Sequence, residues 1–492
     1  MERFPRSPAE ADKLIQMGKL LNEAIQTVTE EWKTESFSKK QANGVNGVNG
    51  VNGANTNDPS NTADILPSWP LYQAQRTIFA LTGALTELVA EPAHRLTELM
   101  GLYWESRALY IAAERRIPDL LHEAGEDGLE ISEIAKKTGI EHLKLSRIMR
   151  CLASIHVFRL TGPERFANNR ISAQLVHNEH MRAYITMFQG DIYTSAERLP
   201  KYLLGPTGTS YSVTETPWQE AHGSSRPRWE WLAEKIPPSE IQNDGVGYPG
   251  VPDPSQFAHN TPDADGRVPR PELELFGLAM VGGGRAISAS QPYDYPWHEL
   301  AEGATVVDVG GGVGGFIMQL LRVYPHLSCV VQDRAEVVKQ GEQEIWPQQA
   351  AQLLETSKVK FQAHDFFKPN PVHGADIYWL RGILHDWSDE YCVQILTSVR
   401  DAMSDNSRIL LCEQVMNDPY GCDELASAPS PLPANYGYFG RFQAHRDLSL
   451  MACINGIERT PAQFKDLIDR AGLKLAKIHE LRSIYCVIEV TK

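Results

Sequence analysis

The sequence predicts an α/β protein in two parts. A helical region containing a winged helix comes first, and a doubly wound, Rossmann-like sheet domain follows it. Three observations lead there. Over 305–490, strand-like runs alternate with helical segments, the pattern of a mostly parallel sheet covered on both faces. The run T-V-V-D-V-G-G-G-V-G-G-F at 305–316 reads as a strand, a tight glycine turn and a helix start. Residues 129–160 read as two short helices joined at Thr138-Gly139 and followed by the strand-like V-F-R-L.

Taken in order, residues 7–34 form an expected helix. Ser7 caps it, Pro8 suits the first turn and Glu10 stands at the capping-box spacing. Leu14, Met17, Leu20, Leu21, Ala24 and Val28 make an apolar stripe that must be buried on something. The V-N-G repeats that follow cannot build a core and read as a flexible tether. The expected division is therefore a docking helix at 1–40, a linker at 41–66 and a helical, winged-helix domain at 67–199. An insertion and linker helix at 200–290 and a sheet domain at 291–492 complete it. Residues 200–270 and 417–445 are rich in turn residues and read as lids or surface insertions.

Composition excludes several classes. The net charge of −15 argues against a nucleic-acid partner, although a winged helix is also a DNA-reading device. No run reaches about eighteen apolar residues, so no membrane span is expected. The N-terminus lacks the apolar core of a signal peptide, which points to a cytoplasmic protein. Seven widely spaced cysteines without a C-x-x-C read as reduced thiols.

The glycine turn alone is ambiguous. Gly310, Gly312 and Gly315 also fit the dinucleotide pattern, so NAD is a rival ligand, whereas no G-K-[ST] follows to make a Walker loop. Asp333 ends the second strand, where a carboxylate can accept both hydroxyls of a ribose. Asp365 can take an adenine amino group and Phe366 can lie on its face.

The spans D-V-G-G-G-V-G-G, H-D-F-F, L-R-G-I-L-H-D-W-S-D-E and N-G-I-E-R-T-P-A-Q-F, in this order, resemble the plant-type small-molecule O-methyltransferases. These use S-adenosylmethionine and need no metal. The V-N-G tether and P-E-L-E-L-F-G-L-A-M-V-G-G-G-R are most similar to the fungal branch serving polyketide pathways, of the aflatoxin type. The resemblance implies a cofactor site of Asp308, Gly310, Gly311, Gly312, Asp333, Asp365, Phe366, Arg381 and Trp387. Arg381 stands where family members often carry lysine. It implies His385 as general base, with Glu413 and Glu458 as its carboxylate partners, and an intertwined homodimer. It also places Met187, Phe188, Tyr193, Met280 and Met451 in regions that line the acceptor site. The chemistry agrees: a phenol of pKa ~10 is a poor nucleophile, and a histidine of pKa ~6.5 can take its proton during attack. A pericyclic enzyme that keeps the cofactor on the same fold, and a winged-helix regulator of DNA, are the alternatives. The presence of all three of His385, Glu413 and Glu458 weighs against both.

Overall fold

The computed structural model describes residues 6–45, 66–241 and 261–492. The expected linker lies outside the described residues except at its ends, as does the middle of the first insertion. The chain divides into two compact units. The first comprises Met1–Ala90, Ile287–Leu450 and Gly456–Lys492, and the second Glu91–Ala286 and Met451–Asn455.

The first unit is built on seven strands: β1 (Thr305–Val309), β2 (Ser328–Asp333), β3 (Val359–Ala363), β4 (Ile377–Arg381), β5 (Arg408–Gln414), β6 (Lys474–Glu480) and β7 (Tyr485–Thr491). Their order across the sheet is β6-β7-β5-β4-β1-β2-β3. β3, β2, β1, β4 and β5 are mutually parallel, while β7 runs antiparallel to both β5 and β6. The central strands are apolar on both faces, as a sheet covered twice requires. Val307, Val309, Leu380 and Leu411 pack on one side with Leu396 and Phe464. Val306, Trp379, Leu410 and Cys412 pack on the other with Phe316 and Leu320. There the rings of Phe316 and Trp379 stack, with centroids 4.3 Å apart. This places the helix that follows the glycine turn, Gly315–Val323, against the centre of the sheet.

Strands separated by helices fill the 305–490 region, as the alternation in the sequence predicts. β6 is an addition. It lies at the sheet edge, only Ile478 in it is fully buried, and a register shift between Leu475 and Lys477 breaks its alternation.

The N-terminal part of this unit is a helix pair, α1 (Pro8–Val45) and α2 (Trp69–Val89). The expected capping box forms. The Ser7 N–H donates to Glu10 Oε2 at 2.6 Å, and the Glu10 N–H donates to Ser7 Oγ at 3.2 Å. Met17, Ala24 and Val28 of the apolar stripe are buried against α2, whereas Leu14 is exposed. α2 in turn packs on Leu432 and Tyr436 of the 417–445 segment.

In the second unit, helices Ile131–Thr138 and His142–Ser154 precede a small antiparallel sheet of Leu129–Glu130, Phe158–Gly162 and Arg165–Asn168, which is the winged helix read from sequence. Ile134, Leu145, Met149, Phe158 and Phe166 form its core. The described parts of the first insertion are packed rather than free. Asp191 and Arg228, both buried, pair at 2.5 Å, and Trp218 donates to the same carboxylate at 3.2 Å. Among the described residues, no helix is long and apolar enough to cross a membrane.

Two glycines test the helix pair. A Cβ on Gly83 would fall 2.2 Å from Tyr438 Cβ, whereas one on Gly18 meets nothing within 4 Å. Gly18→Ala should stabilise by roughly 0.5–1 kcal/mol through helix propensity. Gly83→Ala should instead lose roughly 1–3 kcal/mol to overpacking. Thermal melts of the two variants should move in opposite directions.

Candidate active site

The candidate site lies at the carboxyl ends of β1, β2, β4 and β5, where an open α/β sheet binds its ligands. β1 delivers Asp308 into the glycine turn. Gly310, Gly312 and Gly314 have φ of 74°, 59° and 80°, values that L side chains rarely adopt. The turn is pinned from behind. Gly310 and Gly311 donate to the Gln332 carbonyl at 2.8 and 3.0 Å, and Trp346 Nε1 donates to the Val313 carbonyl at 2.9 Å. A Cβ at Gly311 would come within 2.5 Å of the Asp308 carboxylate, while the space beside Gly312 is open.

Two carboxylates face this turn. Asp333 ends β2 and accepts from the Gly312 N–H at 2.8 Å and the Arg334 N–H at 2.7 Å, one on each oxygen. Asp308 is buried, and its Oδ2 lacks a hydrogen-bond partner. Burial pushes its pKa up to about 7, with Arg381 opposing and Asp333 reinforcing. An unpaired buried acceptor, a ribose-height carboxylate and bare backbone suit a ligand carrying both a sugar and positive charge. Phe366 borders the turn: a Cβ at Gly310 would lie 3.7 Å from its ring. Phe366, Phe367 and Trp387 form an edge-to-face cluster with centroids 4.8–6.0 Å apart. Asp365 is exposed, with Oδ1 accepting from the Phe367 N–H, and Arg381 reaches Ser288 Oγ at 3.3 Å.

The second constellation joins three distant segments. His385 stands in the short helical turn Leu384–Asp386 after β4, Glu413 near the end of β5, and Glu458 after residue 455. All three are buried. His385 Nδ1 lies 3.4 Å from Glu413 Oε2 and 3.3 Å from Glu458 Oε1, while Nε2 lies 3.4 Å from Asp386 Oδ1. Glu413 Oε1 accepts from the N–H groups of Ile383 and Leu384 at 2.9 and 2.8 Å, so the carboxylate that faces the imidazole also shapes its turn. Burial pulls the imidazole pKa down, but Glu413, Glu458 and Asp386 together outweigh it and raise it to about 10. Burial, reinforced by Glu458, pushes the Glu413 carboxyl up to about 7 against the opposing effects of His385 and the two N–H groups.

Arg459, not singled out from sequence, holds this constellation together. It is fully buried. Nη1 donates to the Leu384 carbonyl at 2.8 Å, and Nη2 donates to the Trp387 carbonyl at 2.7 Å and to Asp389 at 2.8 Å. The Ile457 N–H donates to the His385 carbonyl at 2.8 Å. Asp447, also unforeseen, accepts from the Glu458 N–H at 2.9 Å. The only sequence signal for Arg459 was its place beside Glu458.

The residues expected near the acceptor all fall in the second unit. Met187 is buried in a cluster with Ala183 and Ala279, and Phe188 packs against that cluster. Tyr193 lies beneath Arg107, Met280 is exposed and Met451 is half-buried.

A glycine turn flanked by two carboxylates, with a buried imidazole beyond the fourth strand, is an arrangement that suits a nucleotide cofactor at the carboxyl ends of the strands. Comparison with known proteins narrows this. Residues 297–474 match the O-methyltransferase domain, and residues 97–178 match the O-methyltransferase dimerisation domain. The O-methyltransferase cicE of Emericella nidulans is 54% identical over 492 residues, covering 100% of this chain and 91% of that protein. The structure of CalO1, a methyltransferase in calicheamicin biosynthesis solved in an SAH-bound form, is 27% identical with a TM-score of 0.56, covering 81% of this chain and 97% of that one. A structure described as a pericyclic reaction enzyme has a TM-score of 0.62 at 19% identity, covering 85% and 94%, a likeness of fold alone. The chain belongs to the O-methyltransferase family, and its cofactor is S-adenosylmethionine.

Arg459 supplies the test of this subsection. Arg459→Ala removes a buried donor from the Leu384 and Trp387 carbonyls and from the half-exposed Asp389, and should cost about 1–3 kcal/mol. Urea denaturation measures it directly.

Proposed function

We propose that this methyltransferase acts on a phenolic hydroxyl of an aromatic, polyketide-type secondary metabolite, with His385 as its general base. The observation that carries the reading is the imidazole whose Nδ1 faces two buried carboxylates. Glu413 and Glu458 face Nδ1 and favour a proton there, so that Nε2, beside Asp386, is the atom left to accept the substrate proton. Bound S-adenosylmethionine supplies an electrophilic methyl group on a sulfonium. As the O–CH3 bond forms and the S–CH3 bond breaks, the phenolic proton passes to Nε2 and the carboxylates stabilise the imidazolium. Asp308, Gly310, Gly311, Gly312, Asp333, Asp365, Phe366, Arg381 and Trp387 are the proposed cofactor contacts. Met187, Phe188, Tyr193, Met280 and Met451 are the proposed acceptor wall, since methionine and aromatic groups suit a planar ring. The protein is proposed to work in the cytoplasm as a homodimer. The dimerisation-domain match and the exposed Leu96, Met100 and Trp104 support the dimer.

A second reading rests on geometry. The ligand atoms of His385, Glu413 and Glu458 lie within 4.8 Å of one another, close enough to share a cation. Chelation separates the two: an unchanged rate supports the base, and a loss restored by a divalent ion supports the cation.

Mass spectrometry of candidate phenols incubated with enzyme and cofactor should show a gain of one methyl. His385→Ala should lower kcat by about 10²–10⁴-fold, and full activity in that variant would sink the general-base role. The pH dependence has a definite sign. With the imidazole pKa raised to about 10, the base form is scarce at neutral pH, so kcat/KM should climb through the alkaline range. Glu458→Gln removes a charge that favours the imidazolium, and should move that climb to lower pH. Sedimentation should give a dimer, and a monomer would contradict the proposed assembly.

A further inference from the structure

One face of the seven-stranded sheet carries buried polar groups that its own hydrogen bonds do not satisfy. Side chains alternate along a strand, so Trp379 and Arg381 of β4 share a face with Cys412 and Gln414 of β5, where Cys412 pairs with Arg381. Asp308 follows Val306 on the same face of β1. The chain just before β1 packs onto this face. Arg381 Nη1 donates to Ser288 Oγ at 3.3 Å. Trp297, whose ring centroid lies 5.4 Å from that of Trp379, donates from Nε1 to the Gln291 carbonyl at 2.9 Å. Ser483 Oγ donates to the Ile287 carbonyl at 2.5 Å, two residues before Tyr485, which pairs with Gln414. Residues 287–291 therefore lie beside Arg381 and the β5–β7 pairing, within the first unit.

Gln291 and Gln414 are fully buried, and among the described residues neither amide finds a hydrogen-bond partner for its oxygen or its nitrogen. The buried Ser290 Oγ is unpaired as well, like Asp308 Oδ2 in the same layer. The fold does not need these side chains. The turn after Ser290 is closed by the Tyr293 and Asp294 N–H groups, each donating to the Ser290 carbonyl at 2.9 Å. It is anchored by Asp294, which pairs with Arg482 at 2.6 Å, both side chains being buried. The backbone of Gln414 is held by its pairing with Tyr485. An apolar side chain at 291 or 414 would fill the same space and leave no amide unpaired. Buried polar groups without partners are rare and costly, and they are retained where a ligand or ordered water meets them.

We propose that Gln291, Gln414 and Ser290 read the amino-acid end of the cofactor, the α-ammonium and α-carboxylate that lie beyond its sulfur. Asp308 and Arg381 stand in the same layer with opposite charges, and a zwitterion needs both signs. The two amides and the hydroxyl add donors and acceptors for either end. The proposal rests on the placement of the cofactor against the glycine turn. It makes Gln291 and Gln414 specificity residues, which separate the cofactor from nucleosides that lack an amino-acid tail.

The test is calorimetric binding of two probes: S-adenosylhomocysteine, which carries the tail, and 5′-methylthioadenosine, which lacks it. The proteins are the native enzyme, Gln291→Met, Gln414→Met and Asp333→Asn. Methionine keeps the size of glutamine and deletes the amide. Each methionine variant should lose about ten- to a hundredfold in affinity for S-adenosylhomocysteine, while affinity for 5′-methylthioadenosine stays within about twofold. Without ligand, each should melt at or above the native temperature, since it removes unpaired buried atoms. Native affinity for S-adenosylhomocysteine in both variants overturns the proposal and leaves the two amides to ordered water. An equal loss for both probes also overturns it, because the residues would then shape the whole site rather than read the tail. Asp333→Asn separates this from the placement of the cofactor. It should weaken both probes alike, and unchanged binding of both would bring down that placement and this proposal with it. If the methionine variants do not fold, Ser290→Ala probes the same layer. It should weaken S-adenosylhomocysteine alone, by about three- to tenfold, and an unchanged affinity there counts against the proposal.

Discussion

Two glutamates buried against one imidazole create a charge problem that the rest of the catalytic unit answers. An isolated carboxylate taken out of water costs several kcal/mol, and here two share one cation. Glu413 is partly compensated by the Ile383 and Leu384 N–H groups, which is possible only because the chain turns sharply after β4. Glu458 lacks such bonds on its side chain, and its compensation must come from the imidazole. That asymmetry makes the position of residues 455–459 critical. Arg459 and the Ile457 amide hold this stretch against the turn that carries His385, and Asp447 holds it from the helix Arg441–Ile454. The same contacts that keep a costly cluster buried also keep its members aimed at one another.

The glycine turn obeys a different constraint, that of room. Its backbone must be bare on one face and immobile on the other. Trp346 and the Gln332 carbonyl supply the immobile side, and the stacked Phe316 and Trp379 hold the following helix down. Asp308 links the two constellations electrically. It is buried beside Arg381, which ends the strand that leads to His385. Charge placed over the turn is therefore felt at the next strand.

Much of this was legible in the chain, for identifiable reasons. β1 and β5 were plain because strands buried on both faces read as unbroken apolar runs, as in Val306–Val309 and Ile409–Cys412. β6 was not, because an edge strand with a register shift has neither the run nor the alternation. His385, Glu413 and Glu458 could be named by family resemblance, but their mutual approach is a tertiary fact. Arg459 escaped notice because a charged residue in sequence reads as solvated, and nothing local says that it is buried among carbonyls. The order of the first insertion was equally hidden. It depends on Asp191 meeting Arg228 and on Asn455 meeting Ser212, partners with no shared local pattern.

The position of β7 between β5 and β6 has a consequence for how the protein is made. Glu413 pairs across the sheet with Cys486, and β6 reaches the sheet only through β7. The strand carrying Glu413 thus lacks its β7 neighbour until that strand has been synthesised. The unit it belongs to also contains the first helices of the chain. On the ribosome, the second unit has every residue it needs, apart from Met451–Asn455, long before the first does. Until then the apolar edge of β5 that β7 covers stays open.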